Sequence, residues 1–138
     1  MIAVDTNILA RFYVDDPNDP EAVKQRPAAR RVMLASASLF VPLTVVLEFE
    51  WVLRGFYKRE PGDFAQAIEH LLGMPHVTVE RWEAVRDALA QHRRGLEFAD
   101  ALHCACSAGC QRLLSFDDRR FVRRAKRLGL APEVTLPG

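Results

Sequence analysis

Short apolar runs alternate with longer segments of helical periodicity along the chain, and this alternation is the strongest constraint on its fold. Runs of about four apolar residues bounded by turn signals are typical of buried strands. Strands separated by helices indicate right-handed crossovers and a parallel sheet covered by helices on both faces. The sequence therefore predicts a three-layer α/β/α domain with about five parallel strands. The predicted strands are 2–5, 39–42, 76–79, 112–115 and, at an edge, 133–136.

Helical periodicity accounts for most of the remaining residues. Pro27 is expected either to kink the second helix or to restart it, and Gly129 is a typical residue to end the last one. With 138 residues and 49% apolar composition, the chain can form a real core, and we expect one domain, 1–138. The predicted helices are 8–14, 21–37, 44–57, one following 60–63, one from 82 to about 95, 96–109, and a basic helix after 117.

The charge balance is nearly neutral, with 19 Lys and Arg against 18 Asp and Glu. Net charge therefore indicates no particular partner, although six basic residues fall within 119–127. No stretch approaches the ~20 apolar residues of a membrane span, and the amino terminus lacks the features of a signal peptide. We therefore expect a soluble, cytoplasmic protein that does not enter a membrane.

Three cysteines lie in one helical pattern, at Cys104, Cys106 and Cys110. Their spacing matches no usual zinc pair, and no second cluster supplies further ligands. Free cysteine packs as a small apolar residue, so we expect buried structural thiols.

Four acidic residues from separate segments are predicted to lie at one edge of the sheet. Asp5 ends the first predicted strand, and Asp117 follows the fourth by two residues. Glu48 and Asp100 lie in the first turns of helices that begin at the same edge. Ligands of open α/β sheets bind outside the carboxyl ends of the strands, so these carboxylates are candidates for a common site.

Carboxylates brought this close repel one another and raise one another's pKa. A hard divalent cation relieves the repulsion, and oxygen ligands favour Mg²⁺ or Mn²⁺ over zinc. Such a metal can polarise a phosphoryl oxygen and activate water for attack on phosphorus. Basic side chains would then contact the phosphodiester backbone; the candidates are Arg119, Arg120 and Arg123.

Each of these residues also has a simpler structural interpretation. Asp5 and the doublet at 117–118 could be helix caps, and Asp100 could be a first-turn acid favoured by the helix dipole. Glu48 competes with Glu50, since two helical steps turn about 200° and place them on different faces; either could be a solvated charge. The basic run could equally be a solvated helix face.

The order and spacing of four motifs resemble those of a PIN domain, in particular the VapC toxins of bacterial VapBC toxin–antitoxin pairs. The motifs are "VDTNIL", "LEFEWVL", "FADALH" and "LLSFDDRRF". This resemblance implies that Asp5, Glu48, Asp100 and Asp117 are the metal-binding catalytic acids, and that Asn7 and Ser115 support them by hydrogen bonding. Two departures are present. Glu97 stands where the family often has Asp, and the doublet leaves Asp118 as an alternative fourth acid, with Asp117 favoured because it follows "SF".

The resemblance further implies a Mg²⁺- or Mn²⁺-dependent endoribonuclease that forms a homodimer and is inhibited by a cognate VapB-type antitoxin. Water attack on the RNA phosphodiester would leave a 5′-phosphate and a 3′-hydroxyl. Two other functions fit the same residues: a housekeeping PIN nuclease in RNA processing, and a non-catalytic module whose acidic pocket binds a partner. A phosphohydrolase with an aspartyl nucleophile fits poorly, because Asn7 stands where a second acid is needed.

Overall fold

The computed structural model describes all residues, 1–138, which form two compact units, residues 1–80 and 81–138. The first unit contains a three-stranded parallel sheet in the order β1-β2-β3. Leu39 of β2 pairs with Ile2 on one side and Val77 on the other. The strands are β1 (Ile2–Ala3), β2 (Leu39–Val41) and β3 (Val77–Val79).

Four α-helices and one π-helical turn connect these strands. Asp19 caps the second helix, and Pro20 follows at a position where its missing N–H costs nothing. That helix continues past Pro27 without a second start. The elements are α1 (Thr6–Tyr13), α2 (Pro20–Ala35), α3 (Leu43–Trp51), the π-helical turn Val52–Phe56, and α4 (Pro61–Leu72).

Phe49 of α3 lies at the centre of the core of this unit and is fully buried. Its ring centroid lies 5.9 Å from that of Tyr13 and 6.1 Å from that of Phe64, so three helices meet at one aromatic cluster. Apolar side chains at helical and strand spacing complete the core: Leu9, Met33, Leu39, Val46, Ile68 and Leu71.

The second unit contains two helices followed by a two-stranded parallel sheet with its own crossover. Leu113 of the first of these strands pairs with Val134 of the second. Gly129 adopts φ +68° and ends the last helix, as its position predicts. The elements are α5 (Trp82–Arg93), α6 (Phe98–Cys106), β4 (Arg112–Leu114), the π-helical turn Asp118–Val122, α7 (Arg123–Leu128) and β5 (Glu133–Thr135).

The α/β class and the exclusively parallel pairing of five strands are confirmed, as three strands in one sheet and two in another. The prediction for the first strand was partly wrong. Its two residues are exposed rather than buried, and its last backbone hydrogen bond to β2 is donated by Val4, one residue before Asp5. The helix predicted to 57 changes hydrogen-bond pattern after Trp51, where the π-helical turn begins.

The cysteine prediction is confirmed only for Cys104, which is buried. Burial, and after it the charge of Asp100, raises the pKa of the Cys104 thiol to about 11. Cys106 is half-buried, and Cys110 is exposed because α6 ends at Cys106. None of the three forms a disulfide. None of the helices is both long and apolar enough to cross a membrane.

Phe49→Ala is expected to lower the free energy of unfolding by about 3–5 kcal/mol, because truncation leaves a cavity between three packed helices. Urea denaturation followed by circular dichroism measures this loss. Phe116→Ala is the matched control: Phe116 is 87% exposed, so its truncation should change stability by no more than about 0.5 kcal/mol. Equal losses in the two variants would contradict the assigned core.

Candidate active site

Asp5 caps helix α1, two residues beyond the end of β1. Its Oδ1 accepts a hydrogen bond of 2.7 Å from the backbone N–H of Thr6. The prediction that Asp5 ends the strand itself was wrong, because the last backbone hydrogen bond to β2 is donated by Val4, one residue earlier. The capping interpretation is confirmed, but it occupies only one oxygen of an exposed carboxylate. Capping and metal binding are therefore compatible roles for Asp5.

Glu48 is tied to the start of α1 by Thr6. The buried Thr6 hydroxyl donates a hydrogen bond to Glu48 Oε1, which joins α3 to the residue after Asp5. Asp5, Thr6, Asn7 and Glu48 line one cavity of about 330 Å³. The structure thus brings Asp5 and Glu48 to one place. Sequence reasoning missed Thr6; the signal available was a hydroxyl directly after the first acid.

Glu50, the rival of Glu48, has a different role. It is buried, with 8% of its surface exposed, and accepts a 2.9 Å hydrogen bond from Arg54 one helical turn later. The interpretation of Glu50 as a solvated charge was therefore wrong. Because Glu50 is paired within its own helix and Glu48 lines the cavity, Glu48 is the better candidate for a ligand.

Asp100 lies in the first turn of α6 and is half-buried. Its Oδ2 is buried without any hydrogen-bond partner. Burial raises the pKa of this carboxyl, and the charges of Glu97 and Asp117 raise it further, while His103 and Arg124 oppose the shift. A buried carboxylate oxygen without a partner is unfavourable, so this position is suited to a ligand that supplies positive charge.

Asp117 is held by its neighbours at the end of the segment after β4. Its backbone N–H donates to Ser115 Oγ at 3.0 Å, and its Oδ1 accepts from the Arg120 N–H at 3.0 Å. Ser115 therefore positions the backbone of Asp117. Asp118 instead pairs with Arg123 at 2.8 Å, which favours Asp117 as the available acid of the doublet.

The remaining predicted residues, Asn7 and three arginines, make no side-chain hydrogen bond to the four predicted acids. Asn7 lines the cavity but forms no hydrogen bond with the acids. Arg120 lies 3.7 Å from Glu97, Arg123 pairs with Asp118, and Arg119 has no ion-pair partner. All three arginines are exposed, and exposed ion pairs are weak. They can therefore exchange these partners for a phosphate.

The four predicted acids thus fall into two pairs. Asp5 and Glu48 line one cavity, and Asp117 lies close enough to Asp100 for its charge to raise the pKa of Asp100. No three His, Cys, Asp or Glu side chains are arranged as a ready-made metal site. The donor chemistry nevertheless fits a hard divalent cation, because the four predicted acids offer carboxylate oxygens and Asp100 Oδ2 lacks any other partner.

A family model described as the PIN domain matches residues 2–127. No curated protein matches the chain at a significant level. PIN domains are generally metal-dependent nucleases, and the mixture of helices and parallel strands is consistent with a PIN-like α/β/α fold. The chain belongs to the PIN domain family and has the nuclease-like fold of that family.

Proposed function

We propose that this protein is a metal-dependent endoribonuclease that acts as the toxin of a type II toxin–antitoxin pair. The observation that carries the proposal is the buried, partnerless Oδ2 of Asp100, in a chain whose family generally uses divalent metal ions. The family match runs across both compact units, which supports their acting as one nuclease domain.

Asp5, Glu48, Asp100 and Asp117 would hold Mg²⁺ or Mn²⁺. Such a cation, when bound, polarises a phosphoryl oxygen and lowers the pKa of water. The chain's own contribution is to hold these carboxylates in a fixed orientation. Thr6 fixes one oxygen of Glu48, and Ser115 fixes the backbone of Asp117. Both acids are thereby positioned before a cation arrives.

The substrate would be an RNA phosphodiester. Arg119, Arg120 and Arg123 would bind its backbone phosphates, positioning the strand without reading its sequence. A carboxylate of the site would accept the proton from the attacking water, and the products would carry a 5′-phosphate and a 3′-hydroxyl.

The toxin role rests on the resemblance of "VDTNIL" and "FADALH" to VapC proteins. It implies a cytoplasmic homodimer whose acidic pocket is blocked by a VapB-type antitoxin. A housekeeping PIN nuclease is the alternative. A short antitoxin reading frame beside the gene, whose product relieves growth inhibition by this protein, would distinguish the two.

Asp5→Asn and Asp100→Asn are each expected to lower the rate of Mg²⁺-dependent RNA cleavage by about 100-fold or more, because loss of even a supporting group at a metal site costs 10- to 100-fold. Single-turnover cleavage of labelled total RNA measures the rates. Asp87→Asn, on the exposed face of α5, is the matched control and should cleave at the wild-type rate. Undiminished cleavage by both site variants would exclude the assignment.

Asp100→Asn is also expected to stabilise the metal-free protein at neutral pH. The pKa of Asp100 is raised in the folded state. The protonated carboxyl therefore contributes stability below the unfolded-state pKa, and this contribution is lost as the pH rises through the folded-state pKa. The difference in Tm between variant and wild type should therefore shrink as the pH is lowered toward 4.

Thermal unfolding in EDTA at several pH values measures this difference. Added Mg²⁺ should raise the Tm of the wild type and leave that of the variant nearly unchanged. A variant less stable than the wild type at pH 7 in EDTA would show that the Asp100 charge is satisfied within the protein.

Thr6→Val removes the hydroxyl that orients Glu48 while keeping the size of the side chain. We expect the Mg²⁺ concentration for half-maximal cleavage to rise about 10- to 100-fold. Thr6→Ser retains the hydroxyl and should remain close to the wild type. If valine were tolerated as well as serine, the hydrogen bond to Glu48 would have no part in metal binding.

A further inference from the structure

The cavity that contains Asp5 and Glu48 has an aromatic wall. Trp51, Phe56 and Tyr57 line it together with the acidic side chains. Trp51 is 58% exposed and Phe56 is 67% exposed, so two large rings border the cavity with much of their surface open to solvent. Exposed aromatic rings beside carboxylates are a feature that neither the core nor metal binding explains.

These rings are exposed but held in place. A Cβ atom at Gly55 would lie 3.3 Å from Trp51 Cε2, which shows that the indole packs closely against the backbone of the π-helical turn. Phe56 contacts Tyr57 edge-on, with ring centroids 4.9 Å apart, and the Tyr57 hydroxyl accepts a 3.0 Å hydrogen bond from Arg11. The wall is therefore preorganised, which lowers the entropic cost of binding.

The charge of the cavity selects among possible ligands. Asp5, Asp19 and Glu48 make its polar lining mainly acidic, and Arg11, its one basic residue, already bonds to Gln25 and Tyr57. Without a bound cation a phosphate would be repelled there, whereas an uncharged planar base can stack on the rings and offer N–H groups to the carboxylates. A volume of about 330 Å³ lies at the small end of ligand sites, the size of a nucleotide rather than of a partner helix about 10–12 Å across.

We propose that Trp51 and Phe56 form a stacking site for an unpaired base of single-stranded RNA, next to the acids Asp5 and Glu48. This inference rests on the proposed function for its choice of ligand. Since a base inside a duplex has no free face, the site selects loops or single strands over paired RNA. Base–aromatic stacking is tolerant of sequence, so the selection is by strandedness.

The two tryptophans of the chain allow a direct test in EDTA, without cleavage. In Trp82→Phe the only tryptophan is Trp51, and in Trp51→Phe it is Trp82, which lies at the start of α5. Both proteins are titrated with a short single-stranded 2′-O-methyl oligoribonucleotide and with its duplex. Quenching of fluorescence is expected for Trp51 with the single strand, and not for Trp82 or for the duplex.

Trp51→Ala and Phe56→Ala are each expected to weaken binding of the single strand by about tenfold or more, while Trp82→Ala leaves it unchanged and Trp51→Phe retains most of it. Circular dichroism confirms that the variants are folded. Equal quenching by single strand and duplex would overturn the inference. So would self-association that disappears in Trp51→Ala, since the rings would then cover a second copy of the chain. Binding without any cleavage in Mg²⁺ would sustain the stacking site and reject the nuclease proposal.

Discussion

The parallel pairing of β1 with β2 determines where the first acidic pair lies. Neighbouring parallel strands end at the same edge of their sheet, and the helices that follow them begin there. Helix α1 begins three residues after β1, and α3 begins two residues after β2. Asp5 and Glu48 follow these two strands, and the Thr6 hydroxyl joins the helices that carry them. The acidic cavity is thus a consequence of strand pairing and short connections.

The second unit shows the electrostatic cost of gathering acids. Asp100 is half-buried near Glu97 and Asp117, and its pKa is raised by burial first and by these charges second. The oxygen Oδ2 has no partner within the protein. Perturbed carboxyl groups of this kind cluster at functional sites. The proposed cation would remove the cost and give the acid its role.

Much of this arrangement could be predicted from the sequence, because apolar periodicity reports directly on strands and helices. The predicted strand positions and the cap at Gly129 follow from local chemistry. The end of β1 could not be predicted in this way, because the length of a strand depends on its pairing with the neighbouring strand and not only on the apolar run. Glu50 was misread because its burial depends on how α3 packs within the unit, even though its pairing with Arg54 is a local contact four residues along the chain.

The candidate site was predictable to a similar degree. Its acids could be proposed from their places after strands. The hydrogen bond between Thr6 and Glu48 and the aromatic wall could not, because both depend on how α1 and α3 approach each other. Trp51 and Phe56 fall in an apolar segment that sequence alone assigns to one helix, whereas both rings are exposed, Trp51 at the end of α3 and Phe56 at the end of the π-helical turn.

Binding of Mn²⁺, followed by the electron paramagnetic resonance signal of the free ion, tests the central claim most directly. The wild-type protein should remove Mn²⁺ from solution in a saturable manner, with Mg²⁺ competing, and Asp100→Asn should largely lose this binding while remaining folded. Equal uptake of Mn²⁺ by the wild type and by Asp100→Asn, or none by either, would contradict the account.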